Sequence, residues 1–188
     1  MEYIHLHREV VESCKKGDRQ AQFELYRLYS KAMYHVCLRM VKYEHDAEDV
    51  LQSAFIDIFG KLESFRFESS IGAWIKRIVV NNCINFLKKK KLTFDELNDQ
   101  LLQRPDDNDS TPEPLFTVDA IHQAIALLPE GYRVVFSLYM LEGYDHEEIS
   151  GILGISEQTS KSQYSRAKAR LREMLQVQKP QSPKVQEQ

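Results

Sequence analysis

The chain has 188 residues, 43% hydrophobic and 28% charged, enough for one or two modest cores and hardly three. No run approaches the roughly 18–20 apolar residues of a membrane helix, and the start Met1-Glu2-Tyr3-Ile4-His5-Leu6-His7 lacks a basic stretch leading into an apolar one. A cytoplasmic protein without membrane insertion is expected. A formal charge of −3 argues, as a sum, against a nucleic-acid partner, but the charges come in blocks: Lys88 to Lys91, then seven acids against Arg104 over 93–116, then five bases against two acids over 157–176.

In chain order, residues 18–41 place Tyr26, Tyr29, Met33, Val36/Cys37 and Met40 at three- and four-residue steps, a helix opened by Gly17-Asp18. Residues 46–63 repeat the pattern through Ala47, Val50, Leu51, Ala54, Phe55, Ile58 and Phe59. A third run from Ile71 to about Lys90 sets Ile75, Ile78, Val79, Asn82 and Phe86 on one side, with Ser69 or Ser70 as its cap. No segment alternates at period two, so residues 1–92 are expected to form one helical unit. Cys14, Cys37 and Cys83 are odd in number and widely spaced, which supports reduced core thiols rather than a disulfide frame or a zinc knuckle.

Residues 93–116, with Pro105, Pro112 and Pro114 among the acids, read as a linker too polar to pack. Helical patterns follow at about 117–127, stopped by Pro129, at 131–142, stopped by Gly143, at 145–153, stopped by Gly154, and at 157–176. The tail 177–188, carrying Pro180 and Pro183, is expected to be disordered. The fold class is therefore all-α: two small helical domains, 1–92 and 117–176, on a flexible acidic linker.

Asp145 with Glu148 forms a capping box, Gly154 supplies a positive φ, and Ser156 caps the next helix, which together spell a helix-turn-helix. Tyr164, Ala167, Leu171 and Leu175 share one face of its second helix, led by Ser160. Roughly opposite lie Gln158, Ser162 and Ser165, flanked by Thr159, Lys161, Arg166 and Lys168, side chains suited to base edges and phosphates. In the third helix Arg77, Asn81, Asn85 and Lys88 stack at steps of four, four and three beside Trp74, just after a loop holding Phe65, Arg66 and Phe67. Aromatic faces, amides and cations in one place suit single-stranded DNA. A packed Phe65 and Trp74 with loop-capping asparagines accounts for the same pattern about as well.

Asp46-Ala47-Glu48-Asp49-Val50-Leu51-Gln52, Ser64-Phe65-Arg66 and Trp74-Ile75-Lys76-Arg77-Ile78 with Asn81 resemble the core-binding and promoter-opening domain of an extracytoplasmic-function (ECF) sigma factor. Leu127-Leu128-Pro129-Glu130, Tyr144 to Ile149, Leu153 to Ser156 and Lys161 to Ala167 resemble that family's minus-35 reading domain. The resemblance spans about residues 18–175. It implies that Asp46, Glu48, Asp49 and Gln52 dock on the β′ clamp of RNA polymerase core, with the β flap as a further contact. It also implies that Phe65, Arg66, Trp74, Arg77, Asn81, Asn85 and Lys88 engage the minus-10 element, a flipped base lodging near Phe65 and Asn81. Ser156, Gln158, Thr159, Lys161, Ser162, Ser165, Arg166 and Lys168 would then read the minus-35 element, and an anti-sigma protein is an implied partner.

Several positions depart from the family's usual residues: Ser150 for Ala, Ser160 for a branched apolar residue, Gln163 for Arg, Asn85 for Asp, and a tetralysine run for an Arg-rich one. Serines at semi-buried helix positions can bond back to carbonyls. Gln163 and Asn85 would change promoter contacts. Two other classes compete. The start His146-Glu147-Glu148-Ile149 of a zincin motif lacks its second histidine at Ser150, so no metal, cofactor or enzyme activity is expected. A stand-alone helix-turn-helix regulator, with 1–92 as a sensing or dimerisation domain, is the better rival.

Overall fold

The computed structural model describes residues 7–90 and 117–177, so the expected linker and the tail beyond Val177 lie outside the described residues, while Val177, expected in the tail, ends the last helix. The chain divides into two units, Met1–Thr93 and Phe94–Gln188.

The first unit is built on three helices, α2 (Arg19–Val41), α3 (Glu44–Lys61) and α4 (Ile71–Lys89), each packed on the other two. Asp18 caps α2 by accepting from Gln20 and Ala21 backbone N–H at 2.8 and 3.3 Å, as the Gly17-Asp18 signal predicts. Ser70, of the two serines considered, caps α4 through Ala73 N–H at 3.2 Å. Met40, Ile58, Ile75 and Leu87 fill the core with the thiols of Cys37 and Cys83. Asn82, on the mostly apolar side of α4, is satisfied there: its Nδ2 donates to Asp57 Oδ2 at 3.1 Å and to Ile78 O at 3.1 Å, and this bond holds the Asp57 carboxyl below its ordinary value. Tyr26 is the exception among the expected core residues of α2, being left exposed.

A short amphipathic helix not expected from the pattern, α1 (Arg8–Lys15), precedes these and buries Val11 and Cys14 against α2. Its two turns are too brief for periodicity to separate from noise. α1 also meets the 3-10 turn Leu62–Ser64 that leads into the loop before α4.

The second unit contains α5 (Val118–Leu127), α6 (Glu130–Phe136), α7 (His146–Leu153) and α8 (Glu157–Val177). Ala124, Ile125, Leu128, Tyr132, Ala167 and Leu171 form a shared core along α8. The single helix expected over 131–142 is corrected: α6 stops at Phe136 and gives way to a π-helical turn, Ser137–Leu141, closed by Glu142 N–H on Ser137 O at 3.0 Å. The wider turn sets Tyr139 flat on His146, with ring centroids 4.4 Å apart, and leaves Met140 and Leu141 exposed.

The capping box at the start of α7 forms in both directions, Glu148 N–H on Asp145 at 2.8 Å and Asp145 N–H on Glu148 at 2.9 Å. Gly154 ends α7 at φ 74°, donating to Ser150 O at 2.9 Å, a conformation that only glycine adopts without cost. Ser156 then caps α8 through Thr159 N–H at 3.0 Å. The predicted helix-turn-helix is present, residue for residue at its corner.

Candidate nucleic-acid interface

The two serines that depart from the family pattern behave differently. Ser150 Oγ donates back to Glu147 O at 2.7 Å, the local bond expected of it. Ser160 is fully buried and, against that expectation, pairs with His146 Nδ1 of α7 at 2.9 Å. Tyr139 stacks on the other side of this imidazole and Tyr164 meets it edge-on at 5.7 Å. Burial, and then Lys161, hold His146 below the ordinary imidazole value of 6.5, against the opposite pull of Glu157 and Asp145. A base whose folded pKa is depressed stays neutral in the fold while the unfolded chain takes up its proton, so its contribution to stability is complete above the ordinary value and declines as pH falls through it. The chain is expected to melt at a lower temperature at pH 5.5 than at pH 7.5, and His146→Gln is expected to flatten part of that difference. Identical pH dependence in the two chains, followed by circular dichroism, would count against a neutral, half-buried imidazole.

On α8 the expected reading face is distributed as follows. Gln158 and Lys161 are exposed, while Thr159, Ser162, Ser165, Arg166 and Lys168 are half-buried. Ser156 and Thr159 hydroxyls bond each other at 2.8 Å as part of the cap, and Ser162 Oγ donates to Gln158 O at 2.8 Å. Lys168 lies over the Tyr164 ring at 5.3 Å, its stem used for packing. Gln163, expected to alter promoter contacts, is corrected: it is 5% exposed and belongs to the interior of the unit.

Lys161 is held by Glu157 at 2.6 Å, an exposed i,i+4 pair that the sequence reading did not consider. Such a pair contributes little to stability, yet any phosphate must compete with it. Glu157→Gln is therefore expected to raise affinity for a minus-35 duplex about two- to fivefold. Lys161→Ala is expected to lower affinity and reduce the salt slope by about one unit. Titration at several salt concentrations checks both, and an unchanged slope for Lys161→Ala would remove it from the phosphate contacts.

In the first unit Arg77, Asn81, Asn85 and Lys88 are all exposed along α4. Trp74 is half-buried and packs on Phe65 at 5.3 Å; Arg66 is exposed. Phe65 itself is corrected: at 3% exposed, with Phe67 at 4.9 Å on another side, its ring is the floor of the loop and offers no open stacking face. What sequence reasoning missed is the hold of α1 on this loop. Lys15 Nζ donates to Phe65 O at 2.6 Å, and Lys15 and Arg8 lie over the Phe67 ring at 4.8 and 4.7 Å. A separation of 50 residues between donor and acceptor leaves no trace in local patterning.

The acidic set divides. Glu48, Asp49 and Gln52 line a groove of about 850 Å³ between α2 and α3, together with Tyr26, Lys31, Tyr34, Phe55, Ile56 and Phe59. Asp46 is not among its lining residues; its carboxylate takes Lys90 Nζ at 2.7 Å, tying the start of α3 to the end of α4. Lys90 also lies over Phe86 at 4.7 Å, so part of the tetralysine run is committed to the fold. Among the described residues there is no cluster of potential metal ligands, and no helix is long and apolar enough to cross a membrane.

Comparison with known proteins agrees with this architecture. Residues 25–93 match the family description Sigma-70 region 2, and residues 119–171 match Sigma-70, region 4. The chain is 30% identical to the ECF RNA polymerase sigma factor SigM of Bacillus subtilis over 155 residues, covering 79% of this chain and 91% of the relative. It is 37% identical to the RNA polymerase sigma factor SigZ of the same organism over 131 residues, covering 68% and 72%. The fold is similar to that of the sigma factor RpoE solved with the anti-sigma factor NepR from Bartonella quintana, with TM-score 0.55 and 22% identity over 83% of this chain and 97% of that one. With both modules in order on one chain and relatives matched along most of their length, this protein belongs to the ECF RNA polymerase sigma factor family.

Proposed function

We propose that the protein binds RNA polymerase core, recognises a minus-35 element through α8, and opens duplex DNA at a minus-10 element through α4 and the loop before it. Residues 1–92 and 117–176 are the two working modules of this reading. The observation that carries it is the uninterrupted exposed strip Arg77, Asn81, Asn85 and Lys88, which begins beside the Phe65–Trp74 loop on the same chain as a fully capped helix-turn-helix. A duplex-only regulator does not require such a strip, whereas exposed amides and cations beside a loop suit an unpaired strand. Unpairing costs a few kcal/mol and contacts to the freed base offset it, so melting is driven by binding free energy and needs no hydrolysis. Polymerase core would dock on the groove lined by Glu48, Asp49 and Gln52, and an anti-sigma protein, a class found in complex with RpoE, would be a further partner.

Run-off transcription with purified core tests the reading: specific starts are expected only when the chain is added. A chain that fails to bind core at any salt concentration, yet shifts duplex promoter DNA alone at moderate salt, would establish the stand-alone regulator instead.

A further inference from the structure

The loop before α4 is held in a conformation it would not choose. Phe67 sits at φ 59°, a left-handed backbone that a bulky residue adopts only when its surroundings over-determine it. The determinants come from α1. Lys15 donates to Phe65 O at 2.6 Å, and the Lys15 and Arg8 cations cover the Phe67 ring at 4.8 and 4.7 Å. Phe67 in turn packs on Phe65 and Phe65 on Trp74, so the chain of contact runs from α1 through the loop to the first turn of α4. α1 itself is anchored on α2 through buried Val11 and Cys14, with His7 Nδ1 and Tyr29 Oη hydrogen-bonded at 2.9 Å.

We propose that α1 is a strut for the promoter-opening loop, with Lys15 as its positioning residue: the ammonium fixes the Phe65 carbonyl and the Phe67 ring so that the loop is already shaped when an unpaired base arrives. This inference rests on the base-capturing role given to that loop above. Pre-shaping raises the yield of opening because the loop need not be ordered at the moment of capture.

Trp74 is the only tryptophan in the chain and reports the packing of the loop without any DNA present. In the full-length protein, Lys15→Met keeps the stem and removes the donor. It is expected to shift Trp74 emission to the red and raise its quenching by acrylamide, with the helical circular dichroism unchanged, and to lower open-complex yield with polymerase core about fivefold, a fraction of what one charge-assisted hydrogen bond is worth because water replaces part of it. Lys15→Arg, which still donates to the carbonyl, is expected to restore both. Discrimination between the preferred minus-10 base and a substituted one is expected to narrow for Lys15→Met.

Unchanged Trp74 emission overturns the inference, as does normal opening by Lys15→Met where Asn81→Ala fails. A uniform loss across minus-10 variants with the salt slope lowered by about one unit also overturns it, making Lys15 a phosphate contact. Normal opening by Asn81→Ala would instead bring down the base-capture reading, and the strut with it, whatever Trp74 reports. Should Lys15→Met lose helical signal, Phe67→Leu, which removes the ring that links the cations to Phe65, is expected to shift Trp74 in the same direction; no shift there also overturns the inference.

Discussion

Replacing Asn81 by alanine is expected to lower the yield of open promoter complexes by roughly 5- to 150-fold, the equivalent of about 1–3 kcal/mol for one amide reading a base edge, while assembly with polymerase core stays within about twofold. Asn81 is exposed on α4 between buried Val80 and the half-buried Asn82, and its amide takes no part in the Asp57 tether that Asn82 makes. Alanine is also the better helix former, so the substitution does not weaken α4. A loss of opening therefore reports a lost contact with DNA and not a damaged helix. Permanganate reactivity of minus-10 thymines measures opening, and a template already unpaired there is expected to recover most of the yield, because the unpairing cost no longer has to be offset. If core binding falls in parallel with opening, Asn81 is a structural residue and the base-capture reading of α4 fails.

Most of the fold is legible from periodicity and caps because both are local. Asp18, Ser70, Asp145, Gly154 and Ser156 each mark a helix end through a bond to a backbone group within four residues. What escapes is what depends on distant partners. α1 has too few turns to declare itself, and the π turn at Ser137–Leu141, with the Tyr139–His146 stacking it permits, is announced by no run of residues.

The site divides along the same line. Arg77, Asn81, Asn85 and Lys88 share an exposed strip because helical spacing alone aligns them. Phe65 and Gln163 are buried, the hold of Lys15 on Phe65 spans 50 residues and the pairing of Asp46 with Lys90 spans 44. A motif names the residues near a function; packing decides which of them still present a free face.

Reversing both carboxylates that line the α2–α3 groove is expected to have the largest effect on assembly: Glu48→Lys with Asp49→Lys should weaken polymerase core binding at least about 100-fold at low salt, since like charges set against a basic partner cost several kcal/mol. The groove already carries a negative field. The Tyr34 phenol on its wall is held above its ordinary value first by desolvation and then by the nearby Glu44 and Glu48 carboxylates. Beside the acids Ile56 is 68% exposed and Tyr26 is also exposed, apolar surface that gives a docked partner more than charge to bind. The fold should tolerate the change, because Glu48 and Asp49 are exposed and the pair of Asp49 with His45 at 3.6 Å lies in solvent on both sides. Salt separates charge from shape. Screening weakens the attraction in the native protein and the repulsion in the reversed one, so their affinities are expected to converge as ionic strength rises from 0.05 toward roughly 0.5 M. A reversed chain that binds core within about fivefold of the native one at low salt would move the docking surface away from this groove. A deficit that stays constant with salt would mean that the lysines block docking by bulk and that the field of Glu48 and Asp49 is incidental.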